Sequence, residues 1–309
     1  MDGIFFLVLA FLTVITSIKL SYYGDELGKR IKGGTVIIGG LLIASITSLP
    51  EFVTSISAVM IDNLTLSFGD ILGSNMFNIF VLAVYNIYFF KSDIFKYTSK
   101  KYILECLILI IEYLFILFAC KNALMNACTY VLIGMYIVYF ISVMKGKYNE
   151  DSSTPNQEKY VLIKFILCGL FMIILSTMLT IEADKISHLY PKFSSSTIGA
   201  ILLGITTSLP EVVTTFALLK LGNINMAISN MLGSNIFNFL VLSVADIISH
   251  NSIYLYADSY SVYYIFGGLL ITILFVSTLL KKFDSKLFYT LISIIMILLY
   301  FRVWYLQFV

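Results

Sequence analysis

The sequence predicts an all-α polytopic membrane protein with ten transmembrane helices, arranged as two inverted five-helix repeats. Three observations predict it. The chain is 59% hydrophobic and 12% charged, with a mean hydropathy of +0.94, whereas a soluble domain carries roughly 25% charged residues. Apolar runs of about 20 residues, the length a helix needs to cross a bilayer, follow one another with short polar joints. Two long segments also recur at one constant offset.

The runs place spans at about 3–22, 34–60, 64–90, 102–120, 123–144, 160–182, 194–219, 223–249, 260–280 and 285–307. The first, "MDGIFFLVLAFLTVITSIKL", has an acidic start and no small-residue cleavage pattern, so it reads as a membrane helix rather than a signal peptide. The hydrophilic stretch "KGKYNEDSSTPNQEK" divides the chain into a first repeat (1–144), a linker (145–159) and a second repeat (160–309). The linker is too short to be a regulatory domain.

Positive charge sets the orientation. Arg30 and lysines 29, 32, 91, 96, 100, 101, 145, 147, 159, 220, 281 and 282 fall in alternate joints, and the other joints hold only Lys121, Lys185 and Lys192. Basic loops stay cytoplasmic, which puts both termini outside a multi-pass cell membrane protein. The net charge of +2, with no basic stripe, excludes nucleic acid as a partner. Cys106, Cys120, Cys128 and Cys168 lack CxxC spacing and read as small hydrophobes, and His188 and His250 are isolated.

"TVIIGGLLIASITSLPE" (35–51) lies over "SSTIGAILLGITTSLPE" (195–211), and "GDILGSNMFNIFVLAV" (69–84) over "SNMLGSNIFNFLVLSV" (229–244). The motifs thus span 35–84 and 195–244. An offset of five spans, an odd number, makes the second copy enter the membrane the opposite way up, as in many secondary transporters.

Within each motif, Pro50 and Pro210 remove a backbone donor, so carbonyls near Ala44–Thr47 and Gly204–Thr207 lose helical partners. A carboxylate at mid-membrane costs about 2.5–3.5 kcal/mol and is normally paired or functional. Neither Glu51 nor Glu211 has a lysine or arginine beside it in its own span. A cation is the simplest partner, and two carboxylates meeting across a two-fold axis match one divalent ion. Calcium, which takes 6–8 oxygens at about 2.3–2.6 Å, suits such a mixed set. Asp70, Ser74 and Asn78 share a helix face at i, i+4, i+8, as do Asn230, Ser234 and Asn238. Thr47, Ser48, Thr207 and Ser208 lie within one turn of the glutamates.

On these residues, two "TSLPE" blocks each followed by the serine of "GSN", the chain resembles the sodium/calcium exchanger family of the calcium/cation antiporter superfamily, in its prokaryotic type without a large regulatory loop. The resemblance implies a core of spans 2, 3, 7 and 8, with spans 1 and 6 sliding past it. It implies calcium ligands at Glu51, Glu211 and the backbone oxygens of Thr47 and Thr207. Sodium sites would use Ala44, Ser48, Ser74, Gly204, Ser208 and Ser234; Asn78 and Asn238 join the candidate site on their helix-face spacing. The family often carries aspartate where this chain has Asn238. Conversely, Asp70 stands where the motif has asparagine; it either returns a charge to the core or lines an outer vestibule.

The expectation is therefore a sodium-driven calcium antiporter without a cofactor, moving Ca2+ against Na+. A cation/proton antiporter of the same fold, using H+, is the alternative. A channel needs no inverted pair of buried carboxylates, and no H-E-x-x-H or G-x-S-x-G set supports an enzyme. Glu105, Glu112 and Lys164 are expected to form interhelical salt bridges or to be kept neutral, and Asp246 to reach the interface.

Overall fold

The computed structural model describes residues 2–30, 43–89, 94–121, 125–145, 159–190, 192–280 and 286–307. The described residues are helical, with no strand among them. Nine helices among them are long and apolar enough to cross a membrane, and a shorter apolar helix covers Leu49–Met60. The beginning of the expected second span and most of the linker lie outside the described residues.

In chain order the helices are α1 (Asp2–Arg30), α2 (Ile43–Thr47), α3 (Leu49–Met60), α4 (Leu64–Tyr88), α5 (Ile94–Tyr97), α6 (Ile103–Ala119) and α7 (Met125–Lys145). After the linker come α8 (Val161–Leu189), α9 (Ser195–Ile198), α10 (Gly204–Thr207), α11 (Leu209–Lys220), α12 (Ile224–Ile248), α13 (Ser259–Leu280) and α14 (Lys286–Tyr305). A π turn, Gly199–Leu203, joins α9 to α10.

Two helices overrun the boundaries expected from the apolar runs. α1 continues to Arg30 rather than ending near 22, and α8 to Leu189 rather than 182. Apolar length fixes only the stretch that needs lipid; a helix satisfies its own backbone and continues into the polar layer.

Helix boundaries repeat at the sequence offset. α3 and α11 start and stop 160 residues apart, as do α4 and α12. The turn before α4 passes through Asp62 at φ 63°, and the equivalent turn before α12 through Gly222 at φ 79°. Glycine enters this left-handed region freely and aspartate tolerates it, so different residues give one geometry. Asn63 then caps α4 by accepting a hydrogen bond from the Leu66 amide.

α4 and α12 pack against one another at the centre. Of their most apolar stretches, 72% and 67% are buried, against 22% for α8. α8 pairs instead with α1 and carries many exposed apolar side chains, including Leu162, Ile166, Leu170 and Ile174. The central helices are thus protein-facing, while α8 is lipid-facing along much of its length. Close approach in the centre depends on small residues: a Cβ on Gly73 would sit 2.4 Å from the Ala200 Cα.

Candidate ion-binding site

Both "TSLPE" motifs break their helix at the serine. α2 ends at Thr47 and α3 restarts at Leu49; α10 ends at Thr207 and α11 restarts at Leu209. Each proline therefore lies in the first turn of a new helix, where its missing N–H costs nothing. Each glutamate also lies in a first turn, where helix dipoles favour a negative charge. One structural device thus both opens the backbone and seats the carboxylate.

The two halves meet through reciprocal bonds. Ser48 Oγ donates to Glu211 Oε1 at 2.8 Å, and Ser208 Oγ donates to Glu51 Oε1 at 3.0 Å. Asn75 Nδ2 donates to the Asn235 carbonyl at 3.1 Å, and Asn235 Nδ2 to the Asn75 carbonyl at 2.9 Å. Asn78 Nδ2 donates to Asn235 Oδ1 at 2.9 Å, and Asn238 Nδ2 to Asn75 Oδ1 at 3.0 Å. Each bond recurs with the halves exchanged, as a local two-fold relation requires.

Thr47, Ser48, Glu51, Asp70, Ser74, Asn78 and their counterparts Thr207, Ser208, Glu211, Ser234 and Asn238 all have no exposed surface. Ser234 Oγ is 3.4 Å from Glu211 Oε1, and Ser74 Oγ donates to the Gly204 carbonyl at 3.2 Å. The Thr207 hydroxyl turns back to the Leu203 carbonyl at 2.8 Å. Ala44 lies within α2, one turn before the break.

Certain oxygens have no hydrogen-bond partner: Glu51 Oε2 and Glu211 Oε2, Asn78 Oδ1 and Asn238 Oδ1, Asp70 Oδ1 and Asn230 Oδ1. They form three pairs, each related by the repeat offset, and every member is an acceptor. Buried acceptors without donors are costly unless something positive reaches them. Among the residues whose burial is described, no lysine or arginine is buried.

The Asp70 side chain has no exposed surface. Its Oδ2 accepts from Thr54 Oγ1 at 2.6 Å and from Ser55 Oγ at 3.1 Å, both on α3 just beyond Glu51. At the related position, Asn230 Nδ2 donates to Thr215 Oγ1 at 3.2 Å. Sequence reasoning missed Thr54, Ser55 and Thr215 as partners, although each lies one turn after a glutamate. It also treated Asn75 and Asn235 only as part of "GSN", whereas they clamp Asn238 and Asn78 across the two-fold.

Glu112 is buried with neither carboxyl oxygen hydrogen-bonded, so of the two expectations for it, a salt bridge or a carboxyl kept neutral, the salt bridge is not formed among the described residues. Lys164 lies over the Tyr23 ring at 5.7 Å. Asp246 accepts from Thr129, Ser252 and the Ile253 amide, capping the helical turn Ile253–Tyr256 at the end of α12.

A bundle of membrane-length helices around a two-fold cage of buried oxygens defines a cation antiporter fold. The chain matches the family described as sodium/calcium exchanger protein over residues 3–145 and 160–309, and it belongs to that family. It is 26% identical over 260 residues to an Alkalimonas amylolytica protein that carries the antiporter name CaxA, covering 80% of each chain. Its fold superposes on the H+/Ca2+ exchanger CAX with a TM-score of 0.69 at 14% identity, covering 97% of this chain and 87% of that one. It superposes on the sodium-calcium exchanger NCX_Mj, soaked with 10 mM Na+ and 10 mM Sr2+, with a TM-score of 0.62 at 22% identity and 98% coverage of both. The family is one of transporters rather than enzymes, and the chain is a membrane protein of it.

Proposed function

We propose that the protein exchanges sodium for calcium across the cell membrane by alternating access, with Glu51 and Glu211 as the shared ligands. The observation that carries this reading is the set of orphaned acceptor oxygens on Glu51, Glu211, Asn78 and Asn238, buried in two-fold pairs. Calcium would take the two carboxylates with backbone oxygens of Thr47 and Thr207. Sodium ions would take Ser48, Ser74, Ser208 and Ser234 with backbone oxygens of Ala44 and Gly204. Because both ion sets need the glutamates, one must leave before the other enters, and that competition couples them.

The same reading takes 1–144 and 160–309 as inverted repeats joined by a cytoplasmic linker, with ten spans and both termini outside. α1 and α8, paired with each other and largely lipid-facing, would slide past the central helices to open each side in turn. Opposite orientation of the two "TSLPE" blocks follows from an odd number of spans per repeat.

Proton coupling is the second reading, favoured by one observation: Asn78 and Asn238 are both neutral amides, so the glutamate pair lacks a carboxylate beside it on that side. Calcium uptake into proteoliposomes separates the two. Uptake driven by an outward sodium gradient and insensitive to a protonophore is expected. Uptake that follows only a pH gradient would replace sodium by protons as the driving ion.

A further inference from the structure

In charge, the two-fold relation is broken at one pair among the named site residues, Asp70 and Asn230. Position along the helix matches, and both side chains are buried against hydroxyls of the preceding helix: Asp70 meets Thr54 and Ser55 on α3, and Asn230 meets Thr215 on α11, the residue related to Ser55. The charge differs. Asn230 spends its amide nitrogen on the Thr215 hydroxyl, whereas Asp70 has acceptors alone. The Asp70 Oδ1 has no hydrogen-bond partner and no exposed surface.

The Asp70 carboxylate is joined to the Glu51 turn. Thr54 Oγ1, which donates to Asp70 at 2.6 Å, also lies 3.1 Å from the Glu51 carbonyl and 2.9 Å from the Pro50 carbonyl. A hydroxyl has a single proton. With that proton committed to Asp70, the Thr54 oxygen and the orphaned Oδ1 both have lone pairs to offer a cation.

Charge decides which cation. When ionised, Glu51, Glu211 and Asp70 bring three negative charges to a region in which no lysine or arginine is buried among the residues whose burial is described. A divalent ion on the glutamate pair offsets two of them. A second divalent ion at Asp70 would leave an excess positive charge in a low-dielectric core, which is as costly as the unpaired carboxylate. One monovalent ion closes the count.

We infer that Asp70, with the hydroxyls of Thr54 and Ser55, forms a third and asymmetric cation subsite beside the glutamate pair, which holds a monovalent alkali cation while the pair holds a divalent one. The inference rests on the assignment of calcium to Glu51 and Glu211. Asp70 thereby restores within α4 the third carboxylate that Asn238 does not supply from α12. It does so in the first half of the chain only, so the two faces of the cage are chemically different.

The test is 22Na+ binding to the purified protein by scintillation proximity, with and without saturating calcium. In the wild type, a fraction of the bound sodium should resist calcium, because calcium displaces only the ions on the glutamates. Asp70→Asn should abolish that resistant fraction and leave the calcium-sensitive fraction in place. The variant should fold, since Asn230 is its natural counterpart. Asn230→Asp is the reverse experiment and should enlarge the calcium-resistant fraction. Complete displacement of sodium from the wild type by calcium overturns the subsite, and is what a merely protonated Asp70 carboxyl would give; a resistant fraction that Asp70→Asn leaves unchanged overturns it as well. If calcium displaces no sodium from either protein, yet Asp70→Asn still loses a share of the bound ion, the subsite stands. In that case it is the calcium assignment of the glutamate pair that fails.

Discussion

Ser48 hydrogen-bonds to Glu211, 163 residues away, and not to Glu51 three residues on. Ser208 returns the bond to Glu51 across 157 residues. Each carboxylate is therefore oriented by the break in the opposite half. A hydrogen bond to a charged group contributes about 1.5–3 kcal/mol, so Ser48→Ala should weaken calcium binding mainly through Glu211. In double-mutant cycles read by calcium affinity, Ser48→Ala should couple to Glu211→Gln and be close to additive with Glu51→Gln. Coupling confined to the sequence neighbours would contradict the crossed arrangement.

Glu51→Gln and Glu211→Gln keep shape and volume while removing one charge from a fully buried centre. Losing one partner of a buried ionic interaction costs about 3–5 kcal/mol, equivalent to roughly a hundredfold or more in affinity. Either variant should abolish sodium-dependent calcium uptake in proteoliposomes, with membrane insertion and detergent-solubilised monodispersity unchanged. Near-normal transport by both variants would falsify the glutamate site.

A packing prediction is independent of ions. The Gly73 hydrogen faces Ala200, and a Cβ there would lie 2.4 Å from the Ala200 Cα and 2.6 Å from its carbonyl oxygen. Backbone atoms cannot step aside as a side-chain tip does, and overpacking costs about 1–3 kcal/mol. Gly73→Ala should lower the thermal unfolding midpoint in detergent, whereas Gly134→Ala, with nothing within 4 Å of the new Cβ, should not. Equal midpoints for the two variants would mean that α4 and the π turn are not in tight contact.

The repeats, the paired glutamates and the serines were legible because they recur at one offset in segments where polarity is expensive. Bilayer physics turns every intramembrane carboxylate into a question, and the second copy answers it. Other features were not legible, for a physical reason in each case. Helix ends at Arg30 and Leu189 lie beyond the apolar runs, and there hydropathy no longer constrains length. The crossed Ser48–Glu211 bond is a long-range contact that no local pattern encodes. Asp70 could be placed on the right helix face by its spacing, but its depth depended on what packed against that face. The hydroxyls of Thr54 and Ser55 decide it, and threonine and serine are common enough in membrane helices to carry no signal alone.

The asparagine clamp gives the last prediction. Asn75 Oδ1 accepts from Asn238 Nδ2 at 3.0 Å, and Asn235 Oδ1 accepts from Asn78 Nδ2 at 2.9 Å. Those bonds occupy the amide nitrogens and turn Asn78 Oδ1 and Asn238 Oδ1 away from them, which fixes which end of each amide is left for a cation. Asn75 is thus a positioning residue for Asn238 in the other half. Asn75→Ala removes the acceptor and frees the Asn238 amide to rotate, presenting a donor where an oxygen is needed. A neutral hydrogen bond contributes about 1 kcal/mol, so ion affinity should fall by about five- to tenfold. Asn75→Ala should be non-additive with Asn238→Ala, which has already lost the amide being oriented. It should be additive with Asn78→Ala, one turn away on the same helix, because Asn78 is held by Asn235 instead. The reverse pattern of couplings would show that Asn75 acts within its own helix and not across the two-fold.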